Sequence, residues 1–156
     1  MRRRSGMALS KQHKGFLYTI FILLFFSGFF WFFLNWVLVW NNDFEEWRYQ
    51  IRSFLREIHG GMAMAYLVLL GTLIPLHIKK GWQSRINRMN GAILIGVNVI
   101  LILSAYGLYY CGREITRSTV SWIHILIGLA SPGFIIWHVW SGTKKMNRIL
   151  RKDKAR

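Results

Sequence analysis

The stretch from Ser118 to Thr143 most constrains the fold, because it runs for 26 residues without a formal charge. About 20 apolar residues in a helix cover the hydrocarbon core of a bilayer, so the stretch predicts a membrane-spanning helix. The chain is 53% hydrophobic, and its apolar residues fall in blocks rather than in amphipathic patterns, which excludes an ordinary soluble domain. The predicted fold class is all-α, an integral membrane four-helix bundle forming a single membrane domain. Its predicted spans are residues 15–40, 58–78, 91–111 and 118–142.

The basic residues lie almost wholly between and outside these blocks. Of the 21 Lys and Arg, sixteen fall in the N-terminal segment, the 79–90 loop and the tail after the fourth span, while five of the six acidic residues fall on the other side. By the positive-inside rule, this asymmetry predicts that both termini are cytoplasmic. We therefore expect a multi-pass protein of the bacterial-type inner (plasma) membrane, with membrane lipid as a partner. The same distribution argues against nucleic acid as a partner, despite a net charge of +15.

Four further features of the sequence carry predictions of their own. The first 14 residues resemble the charged start of a signal peptide, but the apolar run that follows is too long and lacks a small-residue cleavage site, so we predict a retained anchor. Residues 43–57 predict an amphipathic helix in the membrane interface, with a docking surface for a partner as the alternative. Pro75, four residues after Gly71, predicts a kink. The basic tail 143–156 is predicted to be surface-bound or flexible.

Four of the five histidines lie inside the second and fourth predicted spans. His124 and His138 are fourteen residues apart. In a helix they share a face to within about 40° and lie about 21 Å apart. His59 and His77 are eighteen residues apart. That is about five whole turns, or about 27 Å, if the helix is regular. With the predicted topology, His59 and His124 lie toward the outer face, and His77 and His138 toward the inner face.

Two neutral imidazoles on neighbouring helices are the axial donors that six-coordinate haem b needs. We therefore predict two bis-histidine haems, an outer one held by His59 and His124 and an inner one held by His77 and His138. A single zinc site would need its ligands to converge on one point, which these separations forbid. Proton pathways usually include membrane carboxylates, which the spans lack. With no C-x-x-C-H motif and only Cys111, covalent c-type haem and a Cys-rich metal site are excluded.

Other residues are candidates for contact with the haems. Gly128, one turn after the outer histidine of the fourth span, would leave room for a flat macrocycle, although glycine also serves close helix packing in membranes. Arg113 and Arg117 on the outer side, and Lys79 on the inner side, are placed to neutralise propionates, although basic residues are also expected at span ends. His13, in the basic N-terminal segment, is predicted to be a surface residue.

With these residues in place, the chain resembles the membrane cytochrome b proteins of respiratory and photosynthetic chains, whose four-helix core carries histidine pairs on its second and fourth helices. The thirteen residues between His124 and His138 match the spacing in the cytochrome b of quinol–cytochrome c reductases. The compact size is similar to the cytochrome b subunits of formate dehydrogenases and hydrogenases. The resemblance covers residues 58–142 and implies electron transfer across the membrane, often to or from quinone. The longer second-span spacing and the lack of a Pro-Glu-Trp-Tyr quinol-site motif depart from it.

These observations predict a di-haem membrane cytochrome that carries electrons between a periplasmic-side partner and quinone or another carrier. The partner would be a periplasmic dehydrogenase or a c-type cytochrome. The loops are too short for a catalytic domain, so we expect an electron-transfer subunit of a membrane oxidoreductase complex. Two alternatives stay open: a non-redox scaffold or assembly subunit with structural histidines, and a transporter for metal or protons.

Overall fold

The computed structural model describes residues 9–36, 45–84 and 87–154, and within these ranges it contains helices and short connections but no strand. Four helical stretches are long and apolar enough to cross a membrane. The predictions of an all-α fold and of four such helices are therefore confirmed. The elements are α1 (Lys11–Trp36), α2 (Glu45–Leu73), a π-helical segment (Ile74–Ile78), α3 (Lys79–Ser84), α4 (Arg88–Tyr110) and α5 (Glu114–Lys154).

The chain divides into two compact units, Met1–His77 and Ile78–Arg156. In the first unit, α1 and α2 form an antiparallel pair, which we call the first hairpin. Ser10 starts α1 by accepting a hydrogen bond from the backbone N–H of His13 at 3.1 Å, as an N-cap serine does. Along the hairpin, positions rise on α1 as they fall on α2. The side-chain pairs that join the two helices include His13–Thr72, Ser27–His59 and Asn35–Arg52.

Helix α2 is continuous from Glu45 to Leu73, whereas the sequence predicted an interfacial helix over 43–57 and a separate span from residue 58. The described part of the interfacial segment is simply the first part of α2. No proline interrupts the boundary, and paired glycines are tolerated inside long helices at about 1 kcal/mol each relative to alanine. The Arg52 guanidinium donates to Asn35 Oδ1 of α1 at 3.0 Å, so this segment is tied to the first hairpin. Residues 43 and 44, like the predicted end of the first span at 37–40, lie outside the described residues.

The π-helical segment Ile74–Ile78 lies at Pro75. Proline has no backbone N–H, and its ring crowds the carbonyl four residues earlier, so a regular α-helical turn cannot close there. A π turn, whose bonds run from residue i to i+5, is one way in which membrane helices re-form their hydrogen bonding around proline. The disturbance predicted at Pro75 therefore takes the form of a change in helix type. The chain then continues as α3, where the sequence predicted a loop.

In the second unit, α4 and α5 form the second hairpin, again antiparallel. Contacts between the two helices run from Asn87 beside Ser141, through Ser104 beside His124, to Gly107 beside Val120. Helix α5 runs without a break to Lys154, whereas the sequence predicted that a surface-bound or flexible tail begins at residue 143. The described part of that tail is therefore a helical extension of the fourth span.

Pro132 lies inside α5, which remains α-helical at this position. Because Pro132 cannot donate to the carbonyl of Gly128, that carbonyl needs another partner. The Ser131 hydroxyl donates to the Gly128 carbonyl at 2.7 Å, and the Ser131 side chain is buried. A neighbouring serine thus restores the lost hydrogen bond, as it does in other proline-containing membrane helices.

Few side chains are buried among the described residues, and those that are buried are mostly small and polar. The long apolar side chains of α1, α4 and α5 are instead exposed in large numbers. Membrane helices pack in this way, because lipid is as apolar as leucine and small residues let helix backbones approach closely. The buried residues are Ser27, Leu34, Asn87, Val97, Ser104, Ser131 and Ser141.

Candidate functional site

The four predicted ligand histidines are divided evenly between the two units. His59 and His77 belong to the first, and His124 and His138 to the second. We call His59 and His124 the leading histidines, and His77 and His138 the trailing histidines. All four side chains are half-buried. The predicted haem pairs each take one histidine from each unit, and both pairings stay predictions.

The ring of His59 lies against α1. Its Nδ1 is 3.0 Å from the Leu24 carbonyl oxygen and 3.2 Å from Ser27 Oγ. The Ser27 hydroxyl donates its own proton to the Leu24 carbonyl at 3.0 Å. A carbonyl oxygen can only accept, so Nδ1 of His59 is the donor to Leu24. In the neutral ring, the lone pair then lies on Nε2.

Gly28 gives the His59 ring its space. A β-carbon at Gly28 would lie 2.8 Å from Cε1, 3.0 Å from Nδ1 and 3.7 Å from Nε2 of His59. The first of these distances is shorter than carbon atoms tolerate without moving. Any larger residue at position 28 must therefore displace the imidazole from α1.

The ring of His124 has the same kind of support from α4. Its Nδ1 lies 2.8 Å from Ser104 Oγ, and the Ser104 hydroxyl donates to the Leu101 carbonyl at 3.1 Å. When the Ser104 hydroxyl proton is on Leu101, the serine oxygen accepts from the His124 Nδ1–H, and the lone pair of the neutral ring lies on Nε2. When the hydroxyl instead donates to Nδ1, the ring takes the other tautomer.

The two hairpins thus repeat one arrangement at their leading histidines. In each, a buried serine of the first helix donates to the carbonyl three residues before it and lies within hydrogen-bond distance of a histidine Nδ1 of the second helix. The residue after the serine is small in both hairpins, Gly28 in one and Ala105 in the other. The Leu24 carbonyl sets the tautomer of His59, whereas His124 faces a hydroxyl that can donate or accept.

The trailing histidine of the second hairpin lies beside a polar network at the start of α4. Asn87 Nδ2 donates to the backbone carbonyl of His138 at 3.2 Å. Asn87 Oδ1 accepts from Ser141 Oγ at 2.8 Å and from Lys145 Nζ at 3.1 Å. Asn90 Nδ2 donates to Ser141 Oγ at 2.7 Å. Asn87 is buried and has a left-handed backbone, with φ of 57°.

The His138 ring itself approaches the α4 backbone. Its Cε1 would lie 3.7 Å from a β-carbon at Gly91, which is ordinary van der Waals contact. Glycine at this position therefore lets α4 pack close to the His138 ring, although a β-carbon would also fit there. The network at Asn87 and the contact at Gly91 together hold the α5 turn that carries His138 against the start of α4.

The trailing histidine of the first unit lies within the π-helical segment. The expected five whole turns between His59 and His77 assumed a regular α-helix. A π turn closes a wider ring than an α turn, so it holds more residues and rises less per residue. His77 therefore does not point in the same direction around the helix axis as His59. Its axial distance from His59 is also shorter than the regular value of about 27 Å. The five-turn count does not hold over its last turn.

His13 is half-buried and belongs to the first hairpin, which corrects the prediction of a surface residue. Its Nε2 lies 3.1 Å from Thr72 Oγ1, and the Thr72 hydroxyl donates to the Leu69 carbonyl at 2.7 Å. The sequence could not reveal this contact, because the antiparallel register of α1 on α2 brings together residues that are far apart in the chain.

The remaining predicted residues lie around the helix ends. Arg113, Arg117 and Lys79 are exposed, and their role toward propionates stays a prediction. Gly128 is half-buried and lies near α4, where a β-carbon would be 3.9 Å from Leu101 Cδ2. Its contact is thus one of helix packing, and its role as a haem-lining residue also stays a prediction.

Sequence reasoning overlooked Ser27, Gly28, Ser104 and Asn87. One signal was available: Ser27 and Gly28 are adjacent small residues inside a phenylalanine-rich span, and Ser104 with Ala105 occupies the same kind of place in an Ile/Leu-rich one. Small residues inside an apolar span mark helix contact. Their pairing with particular histidines required the helix register.

Within the described ranges, no three or more His, Cys, Asp or Glu side chains converge on a point that could hold a metal ion. A bis-histidine haem does not need such a group, because the porphyrin supplies four of the six donors. Comparison with protein-family models, curated proteins and solved structures gives no match for this chain.

Proposed function

We propose that the chain is a di-haem b-type membrane cytochrome subunit that transfers electrons across the membrane. The observation that carries the proposal is the distribution of intramembrane histidines: two on the second helical stretch of each unit, with the leading ones in the same hydrogen-bonded setting. An ionisable residue inside a membrane span is a functional-site candidate by default, because burying it in lipid is unfavourable.

The chemistry of the donor groups fits haem b. Iron binds the lone pair of a neutral imidazole, and ligand histidines usually donate their other ring N–H to an oxygen acceptor. His59 directs Nδ1–H to a carbonyl oxygen and so holds its lone pair on Nε2, and the Nδ1 of His124 faces the Ser104 oxygen, which can accept the same proton. Gly28 leaves a space that a β-carbon would fill, and this space allows the His59 ring to pack against α1.

The spacing supports two haems at two depths. His59 and His124 would hold the outer one, and His77 and His138 the inner one. The separation in α5 is about 21 Å for a regular helix, and the π turn that contains His77 shortens the other separation from its regular value of about 27 Å. The two separations, each measured along its own helix, are therefore closer in length than regular helices would make them. Bound haem supplies a one-electron carrier at each depth.

The charge distribution supports the orientation. Each pair of spans returns the chain to the side where it began, so both termini lie on one side, and that side carries sixteen of the 21 basic residues. By the positive-inside rule it is the cytoplasmic side of a bacterial-type plasma membrane. Electrons would then pass between a periplasmic dehydrogenase or c-type cytochrome and quinone or another carrier. Arg113, Arg117 and Lys79 are the propionate partners in this proposal.

A non-redox scaffold is the second candidate. The observation in its favour is that His59, His124 and His13 all bond to residues of the facing helix in their own hairpin. Interhelical hydrogen bonds from histidine stabilise membrane helix pairs without any cofactor, by about 0.6 kcal/mol on average. In this candidate the histidines would stabilise each hairpin and nothing more.

Spectroscopy separates the two candidates. The full chain is purified in mild detergent after expression with ample haem, and a reduced-minus-oxidised spectrum and a haem-to-protein ratio are recorded. We expect a b-type spectrum with two haems per chain. A spectrum without haem b would favour the scaffold function. A ratio of one haem per chain would show that the outer site does not bind haem.

Histidine variants then test the pairing. We expect His138→Ala to abolish the inner haem while the chain stays inserted in the membrane, because an axial ligand is lost from one site only. His13→Ala is the matched control, since it removes a histidine outside the proposed ligand set and should keep two haems per chain. Retention of both haems in His138→Ala would refute the pairing.

A further inference from the structure

The serine that contacts each leading histidine also lies within hydrogen-bond distance of a carbonyl of its own helix. Ser27 Oγ is 3.0 Å from the Leu24 carbonyl, and Ser104 Oγ is 3.1 Å from the Leu101 carbonyl. Both bonds run to the residue three positions earlier in the same helix, a common arrangement for helical serine. With its proton on that carbonyl, the serine oxygen accepts from the imidazole that faces it.

We propose that Ser104 is a positioning residue for His124: its oxygen accepts the Nδ1 proton and thereby leaves the Nε2 lone pair of the ring available to iron. At His59 the Leu24 carbonyl has this role, with Ser27 beside it. The tautomer part stands on the hydrogen bonds of each hairpin alone. The part that concerns iron rests on the proposed function.

Both serines are buried, at 5% and 7% relative exposure, so water does not compete strongly for the imidazole proton. In a medium of low dielectric constant, a hydrogen bond is stronger than in water and an unsatisfied polar group is more costly. A ring flip of His124 would point a carbon atom at Ser104 Oγ and leave that oxygen without its donor. In this proposal the helix pair holds the Nδ1–H tautomer before any ligand binds.

The same bond affects a bound haem. Donation from Nδ1–H to oxygen raises the basicity of the ring as a ligand. A more basic axial ligand stabilises ferric relative to ferrous iron, so the bond lowers the reduction potential. Loss of the Ser104 hydroxyl should raise the potential of the outer haem and leave the inner haem unchanged.

The two serines offer a matched comparison. In Ser27→Ala, the Leu24 carbonyl is still 3.0 Å from Nδ1 of His59 and keeps the Nδ1–H tautomer. In Ser104→Ala, the acceptor that lies 2.8 Å from Nδ1 of His124 is removed. Ser104→Thr keeps a hydroxyl that can make both bonds.

The first test needs no haem. The full chain is labelled with ¹⁵N-histidine in detergent micelles, and long-range ¹H–¹⁵N correlation spectra give the tautomer of each ring. We expect the Nδ1–H pattern for His59 and His124 in the wild type, mixed tautomers for His124 in Ser104→Ala, and recovery in Ser104→Thr. Ser27→Ala should keep the His59 pattern. An Nε2–H pattern in the wild type would overturn the proposal.

The second test is a redox titration of the haem-loaded chain. Ser104→Ala should shift the ferric-to-ferrous ratio of one haem by up to about tenfold, a rise of about 59 mV for one electron, and Ser104→Thr should restore it. Potentials that are the same in the wild type and Ser104→Ala would refute the part concerning iron. A wild-type chain that binds no haem would instead refute the proposed function, and the tautomer result would stand by itself.

Discussion

The two hairpins place similar groups beside their leading histidines, but they differ in the helix type at their prolines and in the hydrogen bonds at their ends. In the first, Pro75 converts one turn to π-helix, and that turn contains His77. In the second, Pro132 leaves α5 unchanged, because the Ser131 hydroxyl replaces the missing backbone donor. Near the start of α1 the first hairpin has the His13–Thr72 bond, whereas the second hairpin has a five-residue network of Asn87, Asn90, His138, Ser141 and Lys145. The two prolines therefore differ: the helix changes type at Pro75, whereas a serine hydroxyl bonds to the freed carbonyl at Pro132.

This difference bears on the site. The hydrogen-bonded setting of the leading histidines is shared, so their geometry is set by hairpin packing. The trailing histidines depend on local features of one hairpin each: the π turn for His77, and the Asn87 network for His138. Substitutions in these local features should therefore act on one hairpin and spare the other.

The largest loss in the free energy of unfolding is expected for a substitution at Asn87. Asn87→Ala removes a side chain that makes hydrogen bonds with His138, Ser141 and Lys145. It also places alanine in a left-handed backbone, and we expect a loss of about 3 kcal/mol in the free energy of unfolding. Unfolding in mixed SDS–detergent micelles measures it.

Two variants sharpen that result. Asn87→Gly should be about 1 kcal/mol more stable than Asn87→Ala, because glycine adopts the left-handed conformation without strain. Thr72→Val, which removes the single bond to His13, should cost about 1 kcal/mol. Equal losses in Asn87→Ala and Thr72→Val would contradict the contrast between the two hairpins.

A smaller but more specific effect is expected at Gly28. In Gly28→Ala the new β-carbon would lie 2.8 Å from Cε1 of His59, so the ring must move away from Leu24 and Ser27. Overpacking of this kind costs about 2 kcal/mol. The loss of the Nδ1 hydrogen bonds should appear in the ¹⁵N spectrum of His59.

The control for Gly28→Ala comes from the other hairpin, where alanine already follows the serine. Ala105→Gly should leave the His124 spectrum unchanged and cost at most about 1 kcal/mol, the helix-propensity difference. An unchanged His59 spectrum in Gly28→Ala would show that the ring does not need the space at position 28.

The smallest effect is expected at Ser131, and it depends on Pro132. Ser131→Ala leaves the Gly128 carbonyl without the donor that compensates for proline, so we expect a loss of about 1 kcal/mol. In a Pro132→Ala background the backbone N–H returns, and the same substitution should have almost no effect. The double-mutant cycle measured in micelles gives this coupling. Additive losses would show that Ser131 does not replace the backbone donor.

The sequence was sufficient to predict four apolar helices, because uncharged runs of more than 20 residues have few alternatives to spanning a membrane. It also identified Pro75 as a point of disturbance. It did not predict that α2 and α5 run on past the apolar runs, since charged residues with helical periodicity can end a span or extend it. Nor could it distinguish a kink from a π turn.

The candidate site was predictable only in part. His59 and His124 stand out because histidine is unusual inside an apolar span. Their partners Ser27 and Ser104 do not, because serine in a membrane helix is common, and its pairing with histidine depends on the register of one helix on another. The φ of 57° at Asn87 likewise arises from the short connection before α4, which local sequence alone does not specify.

The length of α5 has a mechanical consequence. Its 41 residues extend about 61 Å, about twice the thickness of a bilayer core, so a large part of the helix must protrude. Lys145 follows His138 by seven residues, about two turns farther along the same face. Because no break separates the two residues, a torque applied to the protruding basic end acts on the turn that carries His138, which the hydrogen bonds of Asn87 hold against α4. A body that binds this end would therefore have to break those hydrogen bonds before the imidazole turned.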